Sequence, residues 1–123
     1  MELKINKRLK ATPEEVYRAL TNPFTIELWT DEPATMEEKP DTEFSILGGN
    51  ITGRNIEFVP NELIRQVWFF GDTESEVVIK LFSDKANTQL RVEQYNIPEE
   101  AYENIREGWK DTILEALEAF FEE

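Results

Sequence analysis

The residues best suited to chemistry in this chain are three tryptophans, a set of paired carboxylates, two tyrosines and one glutamine. Trp29, Trp68 and Trp109 can line a pocket in which indole N–H groups orient a ligand, or they can simply fill a small core. Glu37-Glu38, Asp72-Thr73-Glu74 and Glu99-Glu100 bring carboxylates close enough in sequence for acid–base work or for a hard cation. All three clusters fall in expected loops, at a strand end or at a helix start, where solvated surface is the better reading. A tyrosine such as Tyr17 or Tyr95 could also serve as a general acid. Gln94 shares a strand face with Leu90 and Val92. It either points inward, to recognise a ligand's polar group, or ends the strand near solvent.

What is missing narrows the chemistry further. The 123 residues contain no histidine and no cysteine. A histidine-containing triad, thiolate catalysis, thiolate metal sites and disulfides are therefore excluded. The expectation is a non-enzymatic protein with no cofactor and no metal. With 26 acidic against 13 basic residues the net charge is −13, which repels phosphate backbones and anionic lipid. Nucleic acid and membrane insertion are not expected. Met1-Glu2-Leu3-Lys4 opens no secretion signal, and no run approaches a membrane span, so the expected location is cytoplasmic.

The elements that must position these residues follow from period and punctuation. Glu2 to Leu9 alternates weakly as a strand. Thr12-Pro13-Glu14-Glu15 reads as a capping box with proline at the first helical position, and the helix stops at Asn22-Pro23. A second short helix follows from Phe24 to Trp29, with Phe24, Leu28 and Trp29 as its inward side. A weak strand is expected near Ala34 to Glu37. Thr42, Phe44 and Ile46 alternate into a turn at Gly48-Gly49-Asn50. Thr52, Arg54, Ile56 and Phe58 then define one face of the next strand. Leu63 to Phe70 reads as a central strand, Glu76 to Phe82 as the next, and Thr88 to Tyr95 as the last. Short turns between them favour an antiparallel meander.

Beyond Ile97-Pro98 the period changes. Tyr102, Ile105, Trp109, Thr112, Ile113, Ala116, Leu117 and Phe120 fall on one face of a helix from Glu99 to Phe121. At roughly 1.5 Å per residue it runs about 35 Å, enough to cross most of a sheet. Gly108 within it costs about 1 kcal/mol relative to alanine. Close approach of a neighbour or a ligand would account for it.

Four segments carry a family resemblance. Ala11 to Leu20 resembles a P-x-x-V-W-x-A-L opening, and Thr21 to Trp29 the T-x-P-e-x-l-x-x-W that follows it. Gly53 to Trp68 resembles a strand pair G-x-x-x-e-x-x-P-x-x-x-l-x-x-x-W. Gly108-Trp109 with Leu114 and Leu117 is similar to a G-W-x-x-x-x-L-x-x-L last helix. These are patterns of the START-related, birch-pollen-allergen-like superfamily. Within it the chain resembles the C-terminal domain of the activator of the heat-shock-protein-90 ATPase.

The resemblance implies one α+β helix-grip domain over residues 1–123. A curved antiparallel sheet would carry two short N-terminal helices and one long C-terminal helix packed across it. It also implies a cavity between sheet and last helix. Candidate lining residues on inward faces are Trp29, Phe44, Ile56, Trp68, Leu90, Val92, Gln94, Ile105, Trp109 and Ile113. The expected occupant is a hydrophobic small molecule or lipid. An interaction module with a protein partner such as a chaperone is the alternative, and a cyclase- or hydrolase-like enzyme a third. Some relatives place a histidine near the end of the last strand, where this chain has Glu93-Gln94-Tyr95-Asn96.

Overall fold

The computed structural model describes residues 1–122. Six strands form one antiparallel sheet in the order β1-β6-β5-β4-β3-β2. They are β1 (Leu3–Leu9), β2 (Glu43–Ile46), β3 (Ile51–Val59), β4 (Leu63–Phe70), β5 (Thr73–Asp84) and β6 (Asn87–Tyr95). Strands β2 to β6 are neighbours in chain order, as short turns dictate, and β1 closes the far edge against β6. Helices α1 (Pro13–Thr21) and α2 (Pro23–Thr30) intervene between β1 and β2.

Local chemistry sets these helix ends. The Thr12 hydroxyl accepts from the Glu15 amide at 3.3 Å, while the Glu15 carboxylate accepts from the Thr12 amide at 3.0 Å. The Thr12 amide bond holds the Glu15 carboxyl below the ordinary carboxylate range. Asn22 ends α1 and caps α2, its side-chain oxygen accepting from the Thr25 amide at 3.1 Å.

Three expectations give way to tertiary packing. The inner side of α2 belongs to Ile26 and Trp29, whereas Phe24 and Leu28 are 78% and 71% exposed. Ala34 to Glu37 contributes only an isolated bridge, Thr35 to Ser45, instead of a strand. In β3 the register shifts between Asn55 and Glu57, a β-bulge. Gly53 and Asn55 therefore face the core, and Ile56 sits half-buried at the irregularity, outside the core cluster.

The C-terminal helix also departs from uniform α geometry. A 3₁₀ turn (Glu99–Ala101) leads into α3 (Tyr102–Glu107), a π-helical segment (Gly108–Ile113) and α4 (Leu114–Phe121). The wider π turn advances the buried face. Trp109, Ile113, Leu114 and Leu117 are buried, while Thr112, expected inward, is exposed.

Candidate functional site

The centre of the sheet is organised by cross-strand rows. One row runs Asn55, Gln66, Val77, Gln94 and Leu3 across β3, β4, β5, β6 and β1. The adjacent row sets Trp68 between Gly53 and Ser75. Both neighbours are small, which leaves room over the sheet for an indole. Trp109 descends from the π segment and stacks on Trp68, with ring centroids 5.0 Å apart and planes 17° from parallel.

Each indole N–H is engaged. Trp68 Nε1 donates to Gln66 Oε1 at 3.0 Å, and Gln66 Nε2 donates to Asn55 Oδ1 at 3.0 Å. Asn55 Nδ2 donates in turn to the Glu37 carbonyl and to Thr42 Oγ1, both at 3.1 Å. On the other side Trp109 Nε1 donates to Gln94 Oε1 at 2.8 Å, Gln94 Nε2 to Ser75 Oγ at 3.0 Å, and Ser75 Oγ to the Tyr95 carbonyl at 2.6 Å. Two polar chains thus end on the N–H edges of the two stacked indoles. Among the described residues, no buried side-chain nitrogen or oxygen lacks a partner, so the interior offers no idle donor to a ligand.

The stack divides the space between sheet and helix in two. Trp68, Trp109 and Ile113 line both parts and form the wall between them. The inner part, which Trp29 also lines, is about 30 Å³, room for little more than one water. The outer part is a cleft of about 300 Å³, bounded by Ile51 and Phe70 on the sheet side and by Ile105 and Gly108 on the helix side. That volume lies at the small end of ligand sites. Asn50, Thr52 and Asn104 supply polar atoms at this cleft, and among the described residues none that lines it is charged.

The ten sequence candidates therefore separate. Trp68, Ile105, Trp109 and Ile113 meet at the outer cleft. Trp29 reaches the inner remnant, but its indole N–H donates to the Ala19 carbonyl at 2.7 Å, tying α2 to α1. Leu90 and Val92 are fully buried core on β6, and Gln94 is fully buried and committed to Trp109 and Ser75. Phe44 is buried on β2 against Gly53, beside a separate surface hollow. Ile56, displaced by the bulge, reaches neither space.

Sequence reasoning missed Gln66, Asn55 and Ser75. Gln66 was legible, since it alternates in phase with Ile64 and Trp68. Asn55 was hidden by the bulge.

Of the two accounts expected for Gly108, a close neighbour or a ligand, the close neighbour is not found. A Cβ built on it meets nothing within 4 Å, because the cleft lies beside it. Its backbone is ordinary helix, at φ −60° and ψ −42°. Gly108→Ala is therefore expected to raise stability by roughly 0.5–1 kcal/mol. An increase in thermal midpoint without change in fold is the check, and a loss of stability would show that the cleft is narrower than described.

The acid–base candidates lie elsewhere. The Tyr17 hydroxyl donates to Glu38 Oε2 at 2.7 Å, and burial, then this carboxylate, pushes its pKa upward. The Tyr95 hydroxyl donates to Glu93 Oε1 at 2.6 Å, and that bond pushes its pKa up to about 12. Both phenols are thereby made weaker acids, the wrong direction for proton donation near neutral pH. Among the described residues, no three acidic side chains gather as a cation site would need.

A curved antiparallel sheet gripped by a C-terminal helix, with an apolar space between them, defines a START-like helix-grip domain. The sequence profile of the Activator of Hsp90 ATPase homolog 1-like protein family matches residues 10–122, and the chain belongs to that family. It is 30% identical over 124 aligned positions to the activator of 90 kDa heat shock protein ATPase homolog of Dictyostelium discoideum, covering 97% of this chain and 32% of that protein. Identity to homolog 1 of Homo sapiens is 27%, covering 98% of this chain and 37% of the relative. The chain thus spans about a third of the length of these curated relatives. The fold also matches a solved HSP90 activator from Plasmodium falciparum, with a TM-score of 0.91 at 23% identity over 98% of this chain and 95% of that one.

Proposed function

We propose that this domain is a non-catalytic interaction module that binds a 90 kDa heat-shock chaperone and stimulates its ATPase in the cytoplasm. The observation that carries this is the extent of the match. Nearly the whole chain aligns with proteins named as activators of that ATPase, and the alignment falls within about a third of their length. The solid inner core and the uncharged cleft agree with a role that needs no catalytic group of its own.

The test is direct. Adding the purified chain to a 90 kDa heat-shock protein is expected to raise the chaperone's ATP turnover, with saturable binding in titration calorimetry. Absence of both effects would remove this reading.

A second reading has the outer cleft as its own support. We infer that an uncharged, mainly apolar small molecule, or one end of a lipid, enters between Ile105, Gly108 and Phe70, with Asn50 or Asn104 meeting a polar edge. A Gly108→Leu variant would fill the entrance from a position with no neighbour within 4 Å. Ligands that shift tryptophan fluorescence in the native chain should lose their effect in this variant. A screen in which no compound shifts fluorescence or thermal midpoint discards the reading.

A further inference from the structure

Helix α2 presents an anomaly that the core does not absorb. Phe24 and Leu28 stand one helical turn apart, so they share a face, and they are 78% and 71% exposed. Ile26 and Trp29 already fill the inner side of the helix. A single exposed apolar residue is ordinary, but an adjacent aromatic–aliphatic pair on one short helix forms a compact patch.

The surroundings of the patch define what can cover it. From Ala19 to Glu38, the stretch that contains α2, the chain carries five carboxylates and no lysine or arginine. Glu27 lies on α2 itself, Asp31 ends it, and Glu32 follows; all three are exposed. The nearest cation before that stretch, Arg18, is drawn to Glu14 at 3.5 Å. An apolar pair within an acidic field matches a surface with an apolar recess rimmed by lysine and arginine. A second copy of this chain would bring acid against acid at a net charge of −13 each, and an anionic membrane is repelled in the same way.

We propose that the Phe24–Leu28 face of α2 is the docking surface of this domain for a basic-rimmed apolar recess on the 90 kDa chaperone. This rests on the chaperone reading above and assigns that reading a place on the molecule. Phe24 and Leu28 provide the desolvated anchors, and the acidic rim steers approach and fixes orientation.

The experiment is a calorimetric titration of the purified chaperone with the full chain and with a Phe24→Gln/Leu28→Gln double variant. Gln is a good helix former and both side chains are exposed, so the variant should unfold at the native temperature. The expected result is at least a tenfold loss of affinity in the variant, with native affinity falling as salt is added. If the native chain binds and the variant binds equally, the docking face is wrong while the function stands. Native binding that is insensitive to salt removes the basic rim. A native dimer in sedimentation that the double substitution dissolves would assign the face to a second copy instead. If the native chain does not bind, the chaperone reading falls, and this face with it.

Discussion

Trp109→Ala is expected to lower the free energy of unfolding by about 3–5 kcal/mol, and the thermal midpoint by at least about 10 °C. The side chain is 3% exposed, stacks on Trp68 and donates its N–H to Gln94. Removing it opens an indole-sized void where sheet and helix meet through aromatic faces. It also strands the Gln94 carbonyl oxygen, which costs a further fraction because that amide is fully buried.

Trp109→Phe separates the two effects, since it keeps most of the packing and loses the donor. It should cost about 1–3 kcal/mol. In a double-mutant cycle with Gln94→Leu the losses should be smaller than additive, because each substitution removes the same hydrogen bond. Denaturant unfolding supplies the measurement. A loss below about 1 kcal/mol for Trp109→Ala would mean that the stack is not part of the stable core. For ligand work the phenylalanine variant is consequently the useful one, because the alanine variant changes the whole domain.

The second large effect comes from a glycine. Gly53→Ala is expected to destabilise by about 3 kcal/mol or more, beyond the usual range for overpacking by one methyl. A Cβ at Gly53 would collide with the Val67 backbone carbonyl and approach the Phe44 ring to 2.8 Å. The ring can move, but the carbonyl belongs to the neighbouring strand. Relief therefore means parting β3 from β4 beside Trp68, the cross-strand partner of Gly53.

The contrast with Gly108 is what makes the prediction specific. The same substitution there meets open space and should stabilise. Thermal midpoints of the two alanine variants should move in opposite directions. A Gly53→Ala protein that unfolds at the native temperature would contradict the close spacing of β3 and β4 at Gly53.

Much of the fold could be read in advance because it is written in local signals. The capping box at Thr12, proline at the start of the first short helix, the stop at Asn22-Pro23, and the change of period after Pro98 each act within a few residues. The order of the meander followed from turns too short to allow a crossover. Misreadings arose where a local pattern was ambiguous about direction. Phe24 and Leu28 are apolar, but so are Ile26 and Trp29, and only docking against the rest of the molecule decided which side of α2 faces inward. Ile56 looked inward because alternation was extended through Asn55, where a bulge interrupts it.

The candidate site was partly legible for the same reason. Trp68, Ile105, Trp109 and Ile113 lie on elements whose periodicity is regular enough to assign a face, and they do line the outer cleft. Gln66 sits in the same phase as Trp68 and could have been found. No local rule relates Gln66 to Asn55 or Gln94 to Trp109, since those pairs depend on strand register and on how the helix is placed over the sheet.

By itself, then, the sequence determined most of the elements, their order, and the absence of histidine and cysteine chemistry, because composition and short-range periodicity are properties of the chain alone. Only the tertiary structure decided that the two indoles stack, that each N–H is bonded to a buried amide, and that the expected cavity is split by the stack into a small remnant and an open cleft. The stacked indoles are 41 positions apart in the chain, and Gln94 is 15 positions from Trp109. Their energies depend on register, the bulge in β3 and the π segment at Gly108, and none of these is set by any one stretch of sequence.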